Sequence, residues 1–249
     1  INYDFVEQLI GGTGNDTFVV SGAVANLTSI DGGAGGTNTI DLRSAGAAQA
    51  VTLTGLGANV GFAGNATAVI DSFDNITNVQ APAGAGDSLT GADLVAAWTI
   101  NSSSGTYASG GRTLNYSGMD AFNGGSDDDA FNVNASRVAG ITGGDGNDSV
   151  TIAANVTLTG NVDLGDGTNT LALNSNSQLA GTATGGADSD TLNHAGAGGP
   201  VAITLDGINA APANGFDGTS TAVTGGFFGF NSFVGTGSTA DTLTSTISA

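Results

Sequence analysis

The residues best equipped for chemistry in this sequence are aspartates set in glycine-rich turns. Gly11-Gly12-Thr13-Gly14-Asn15-Asp16-Thr17-Phe18-Val19 follows the nine-residue pattern G-G-x-G-x-D-x-U-x. Related turns recur at 124–131, 143–150, 165–171 and 185–192. Glycine lets such a turn expose its carbonyls and aspartate supplies a hard oxygen, a donor set that suits calcium. Stacked at ~4.8 Å, the turns would gather Asp127, Asp128, Asp129, Asp145, Asp148, Asp166, Asp188 and Asp190 into one acidic edge. Asp16, Asp129, Asp148 and Asp190 are the calcium ligands this reading selects. A plainer reading stands beside it. Asp, Asn and Gly favour tight turns because they bond the backbone and tolerate positive φ. Asn169 also interrupts the acidic series.

Other chemistry is thinly represented. The single histidine, His194, follows Asp190-Thr191-Leu192-Asn193 and is expected at an outward strand position, so no nucleophile–base pair is indicated. Asp71/Asp74 and Asp127/Asp128/Asp129 are nominal carboxylate pairs of the kind that hydrolyse sugars. Trp98 is expected to fill the core rather than stack on a sugar. Tyr3 and Tyr116 occupy equivalent repeat positions and read as structural.

Short alternating strands must position these turns. Phe131/Val133, Val150/Ile152 and Leu171/Leu173 each place two apolar side chains on one face, with Asn or Thr facing out. Asp129, Asp148, Asn169 and Asp190 are spaced by 19, 21 and 21 residues, and Asp16 to Asn38 by 22. Residues 1–18 match 114–131 at an offset of 113, and 38–55 match 190–207 at an offset of 152, so 1–76 resembles 114–233. These periods predict an all-β fold, a single-stranded parallel β-helix of right-handed sense with about 12 coils of ~20 residues. One continuous solenoid over 1–249 is expected. Residues 77–97, with Pro82, and 206–232, with Pro212, fit the repeat less well and are expected to bulge as loops.

Composition narrows the function classes. There are 22 acidic and 3 basic residues, a net charge of -19, and the cations are Arg43, Arg112 and Arg137. Nucleic acid needs cations on its phosphates, so it is excluded as a partner. Anionic membrane surfaces are excluded likewise, and no apolar run reaches the ~20 residues of a membrane span. A polyanion-degrading enzyme would repel its own substrate. With no cysteine, neither disulfides nor thiolate metal sites are available.

The longer unit carries a resemblance. Trp98-Thr99-Ile100-Asn101, then Gly105-Thr106-Tyr107, then Leu114-Asn115-Tyr116-Ser117-Gly118-Met119-Asp120-Ala121-Phe122 lead into Gly124-Gly125 and Asp129-Ala130-Phe131. This resembles the repeat regions of large secreted bacterial adhesins of filamentous-haemagglutinin type, including biofilm-matrix adhesins exported by two-partner secretion. The nine-residue turn taken alone is similar to the RTX calcium-binding repeat, although here it recurs every ~20 residues. The resemblance implies an extracellular β-helix that joins cells to one another, to surfaces or to matrix polysaccharide, with no transferable set of binding residues. Ile1 already lies inside a repeat, so the chain is read as a segment of a longer protein. The expected partners are matrix polysaccharide or neighbouring adhesin molecules, and the expected role is non-enzymatic. A polysaccharide lyase or epimerase module and a carbohydrate-binding module are the alternatives.

Overall fold

The computed structural model describes residues 7–21, 27–67, 69–82, 84, 86–209 and 214–247. The chain is all-β, built of parallel-rich mixed sheets with no closed barrel. No described residue is helical, which follows from the Gly, Asn, Thr and Ser that interrupt every candidate window. Tyr3 lies outside the described residues. The chain divides into two compact units, one of residues 1–96 and 103–123, the other of 97–102 and 124–249.

In the second unit the chain passes repeatedly between two sheets. Strands Asp129–Val133, Ser149–Ile152, Thr170–Leu173, Thr191–Asn193 and Ser232–Val234 pair in parallel, each with the next. Gly140–Thr142, Val162–Asp163, Ala183–Thr184 and Val223–Phe230 form the parallel run of the other sheet. The register sets Phe131, Val150, Leu171 and Leu192 side by side in one inward row, each no more than 1% exposed. Burying each such side chain contributes roughly 1.5–3 kcal/mol, which makes these rows the main source of cohesion. The alternation expected of Val150/Ile152 and Leu171/Leu173 is observed.

The first unit has the same plan. Thr17–Ser21, Thr39–Ser44, Asn78–Gln80 and Arg112–Ser117 pair in parallel, and Ile40, Val79 and Tyr116 stack in its buried row. In the other sheet, Ala50–Leu56, Ser88–Thr90 and Ala121–Asn123 align Val51, Leu89 and Phe122.

Each unit also contains an antiparallel meander. Ala50–Leu56, Phe62–Ala66 and Ile70–Ile76 form one, and Ala202–Asn209, Gly215–Ser220 and Val223–Phe230 form the other. The two agree in detail. A register shift falls between Leu53 and Gly55 in one and between Leu205 and Gly207 in the other, positions related by the same offset of 152. Gly64 and Gly218 each lie under a phenylalanine ring, Phe73 or Phe227, where any Cβ would collide.

The loops expected at 77–97 and 206–232 are corrected in part: the described residues of 81–87, Pro82 among them, and 91–95 are irregular, but most of the rest is strand. Asn78–Gln80 and Ser88–Thr90 are ordinary parallel strands, and 206–232 is mostly meander; Pro212 lies outside the described residues. For 206–232 the reason is that an alternating, glycine-rich run can pair with a strand a few residues away, and alternation carries no information on pairing direction.

Candidate functional site

The glycine-rich turns form columns of hydrogen bonds. In the second unit Asp148 Oδ1 accepts the Asp129 N–H at 2.7 Å, and Asn169 Oδ1 accepts the Asp148 N–H at 2.7 Å. Asp190 Oδ1 then accepts from Asn169, and Asn231 Oδ1 from Asp190, both at 3.0 Å. The first unit repeats the device. Asn38 Oδ1 accepts the Asp16 N–H, Thr77 Oγ1 that of Asn38, and Asp87 Oδ1 that of Gln49. The step along a column is 19–22 residues where turns follow one another directly, 33 from Asp87, whose N–H donates to Asp120 Oδ2, and 38–41 where a meander intervenes. The ~20-residue period is thus one of three.

A second column runs on the exposed side of the same turns, in the opposite sense. Here the earlier turn accepts from the later one: Asn15 Oδ1 from Thr37 N–H, Asp128 Oδ1 from Asn147, and Asn147 Oδ1 from Thr168. Both residues of an Asn-Asp or Asp-Asp pair are therefore engaged. Of these three, Asp128 is among the sequence candidates, whereas Asn15 and Asn147 are not; their place directly before each inner residue is the signal that finds them. A turn interrupts the sheet ladder and leaves N–H groups to be satisfied, and side chains from the adjacent turn are the nearest acceptors.

Burial divides the aspartates. Asp129, Asp148 and Asp190 are at most 2% exposed, whereas Asp127, Asp128, Asp145, Asp166 and Asp188 remain on the surface. The acidic edge is corrected accordingly: three of the four selected ligands face inward, and Asp16 is half-buried with its Oδ2 on the Gly12 N–H at 2.8 Å. Both Asp129 oxygens hold donors, Oδ1 the Trp98 indole N–H and Oδ2 the Gly125 N–H, each at 2.9 Å. Asp148 Oδ2 and Asp190 Oδ2 are buried without partners and lie against Gly143 and Gly185. Burial pushes Asp148 up to about 7, helped by the charges of Asp129, Asp128 and Asp145. Burial pushes Asp190 up to about 6 and raises Asp129 as well. Calcium takes six to eight oxygens. The inner column offers single free oxygens turned onto glycine, with Asn169 between Asp148 and Asp190, and these inward carboxylates do not fit such a site. Among the described residues no three His, Cys, Asp or Glu side chains are brought together around a metal position.

No family model, curated protein or solved structure matches the chain.

The remaining candidates are structural in their surroundings. His194 is fully buried, which corrects the outward placement. Extending the alternation one residue past Asn193 puts it inward beside Leu173. Its Nε2 lies 3.1 Å from Ser220 Oγ, and that oxygen also accepts the Ala222 and Val223 N–H groups. Burial lowers the imidazole to about 4, so it is neutral at pH 7. The pair has the spacing of a nucleophile and its base, but both groups are sealed from solvent. Of the nominal carboxylate pairs, Asp74 Oδ1 accepts the Ala58 and Asn75 N–H groups, and Asp71 is exposed. Trp98 is fully buried, stacked on Phe131 with centroids 5.2 Å apart. All three arginines act as ties. Arg43 makes a two-pronged bond to Asp41, Arg112 binds the Gly57 and Gly61 carbonyls, and Arg137 the Asn101 carbonyl.

Proposed function

We propose that the chain is a non-enzymatic structural and adhesive segment of a secreted bacterial adhesin, folded as a single-stranded parallel β-helix of the usual right-handed crossover sense. Its place is outside the cell. Its work is reach, rigidity and attachment, joining cells to one another or to matrix polysaccharide in a biofilm. The observation that carries this reading is the pair of opposed side-chain columns. Each turn is closed by side chains of the turns before and after it, so the polar residues that look most chemical are engaged in stacking. Such nearest-neighbour cohesion suits a repeat scaffold that folds outward from any point, as export in an unfolded state requires. The -19 charge adds solubility during that passage.

The reading is tested by displaying the chain on a non-adherent bacterium and measuring autoaggregation and attachment to films of matrix polysaccharide. Both are expected to exceed those of cells displaying an unrelated protein of equal charge. Equal behaviour sinks the proposal. Release of unsaturated, ultraviolet-absorbing products from alginate or pectin overturns its non-enzymatic part.

A further inference from the structure

In the second unit, the segments that join one sheet to the other are short at 153–156 and 174–177, four residues each. After Thr191–Asn193 the corresponding segment, 194–201, has eight. Asn155 and Asn176 hold the short segments in the left-handed region, at φ 60° and 54°, and Asn176 Nδ2 donates to Asn155 Oδ1 at 3.2 Å. The longer segment has no asparagine to continue that stack; it reads Ala195-Gly196-Ala197-Gly198-Gly199-Pro200. It still lies close to the preceding repeat, because a side chain at Gly198 would strike Ser175.

Between this segment and the amides of Asn174, Asn176 and Gln178 lies a cleft of about 280 Å³. Its lining includes Ser177, which is 3% exposed and whose hydroxyl has no hydrogen-bond partner. By register, Ser177 takes the inward position that Val156 fills one repeat earlier. Valine there leaves no polar group to satisfy, whereas a buried, unpartnered hydroxyl is costly. The position thus holds a polar residue, beside the cleft, where the preceding repeat holds a core one.

We propose that this cleft is a binding subsite for one ring of a neutral, hydroxyl-rich glycan. Asn and Gln side chains each offer a donor and an acceptor, which matches sugar hydroxyls that are both. Among the described residues no charged one lines the cleft, and the -19 charge of the chain disfavours uronates and sulfated sugars. No aromatic one among them lines it either, so recognition is by hydrogen bonding at a ring edge. Its volume is just under the ~300 Å³ at which small-molecule sites begin, room for a single ring of a longer chain. The inference rests on the adhesive reading and names the chemistry of its polysaccharide partner.

The test uses the whole 249-residue chain with glucose, galactose, mannose and N-acetylglucosamine as probes and glucuronate as the charged control. Saturation-transfer NMR is expected to detect at least one neutral sugar, with millimolar affinity, and not glucuronate. The double variant N176A/Q178A is expected to weaken that binding about tenfold through two lost neutral hydrogen bonds. Ser177→Val, which restores the residue type of the preceding repeat, is expected to weaken binding while keeping or raising the melting temperature. It therefore remains informative if the double variant folds poorly. Absence of transfer from all four neutral sugars, or full binding by both variants, overturns the proposal. Adhesion of displaying cells without sugar binding overturns the cleft alone. Sugar binding without adhesion overturns the adhesive reading and leaves the cleft standing.

Discussion

Replacing Asp148 by asparagine isolates the cost of keeping a carboxylate inside the turn column. Asparagine can retain the bond its Oδ1 accepts from Asp129 N–H, now at 2.7 Å, while its amide replaces the unpartnered Oδ2. The neighbouring repeat supplies the pattern, since Asn169 Nδ2 donates to the carbonyls of Gly165 and Gly167 at 3.2 Å. In the folded state Asp148 titrates near 7 against 3.8 ordinarily. A group raised in this way binds its proton more tightly when folded. Its contribution is fully present below pH ~4 and is lost as pH rises through ~7. At 1.36 kcal/mol per pH unit the full span is about 4 kcal/mol, and partial relaxation around the charge reduces it to about 2–4 kcal/mol. Asp148→Asn should therefore be near-neutral at pH 4.5 and stabilising by about 2–4 kcal/mol at pH 8, or roughly 4–12 °C in melting temperature. Trp98 is the single tryptophan and hydrogen-bonds Asp129 in the same column, so its fluorescence during urea unfolding reports on this region. Equal stability of variant and parent at pH 8, or a benefit that does not grow between pH 4.5 and 8, would refute the reasoning.

Asn169→Asp places a third acid between Asp148 and Asp190 and should destabilise the second unit at pH 8 more than at pH 5, read from the same unfolding curves. Trp98→Phe removes the indole donor from the buried Asp129 Oδ1 and is expected to cost about 1–3 kcal/mol in urea denaturation. His194, lowered to about 4, favours the fold only while neutral; that contribution is complete above pH ~6.5 and is lost as pH falls towards 4. An NMR titration should place its midpoint near 4, and a midpoint above 6 contradicts its burial. Chelating calcium is expected to leave the melting temperature unchanged within about 1 °C, because the inner carboxylates already hold N–H donors; a large drop would return them to the role of metal ligands.

The parallel part of the fold was legible because each strand declares its inward face. Phe131, Val150, Leu171 and Leu192 differ in size but keep period and spacing, and the observed register follows from them. The offset of 152 between 38–55 and 190–207 marks two related segments, and the structure places the shifts at Gly55 and Gly207 at that same offset. That these structures are antiparallel meanders was not legible, since Val51-Thr52-Leu53 alternates identically whichever way its partner runs. At the turns, residue type identified the positions but not the direction of the side chains. An aspartate that donates an oxygen to calcium and one that accepts a neighbour's N–H obey the same local pattern. The choice is made by the adjacent repeat, 19–22 residues away, which leaves an N–H to be satisfied. His194 is a simpler case: the alternation that puts it beside Leu173 prevails over the outward preference of a polar side chain.

The most direct test of the central claim, that the turn acids hold the stack together rather than serve as a reactive or metal centre, is a crystal structure grown in calcium. Asp148 Oδ1 should sit on the Asp129 N–H and Asn169 Oδ1 on the Asp148 N–H, with no cation within about 2.6 Å of Asp129, Asp148 or Asp190. A calcium ion coordinated by those three carboxylates, with the column bonds broken, would contradict it.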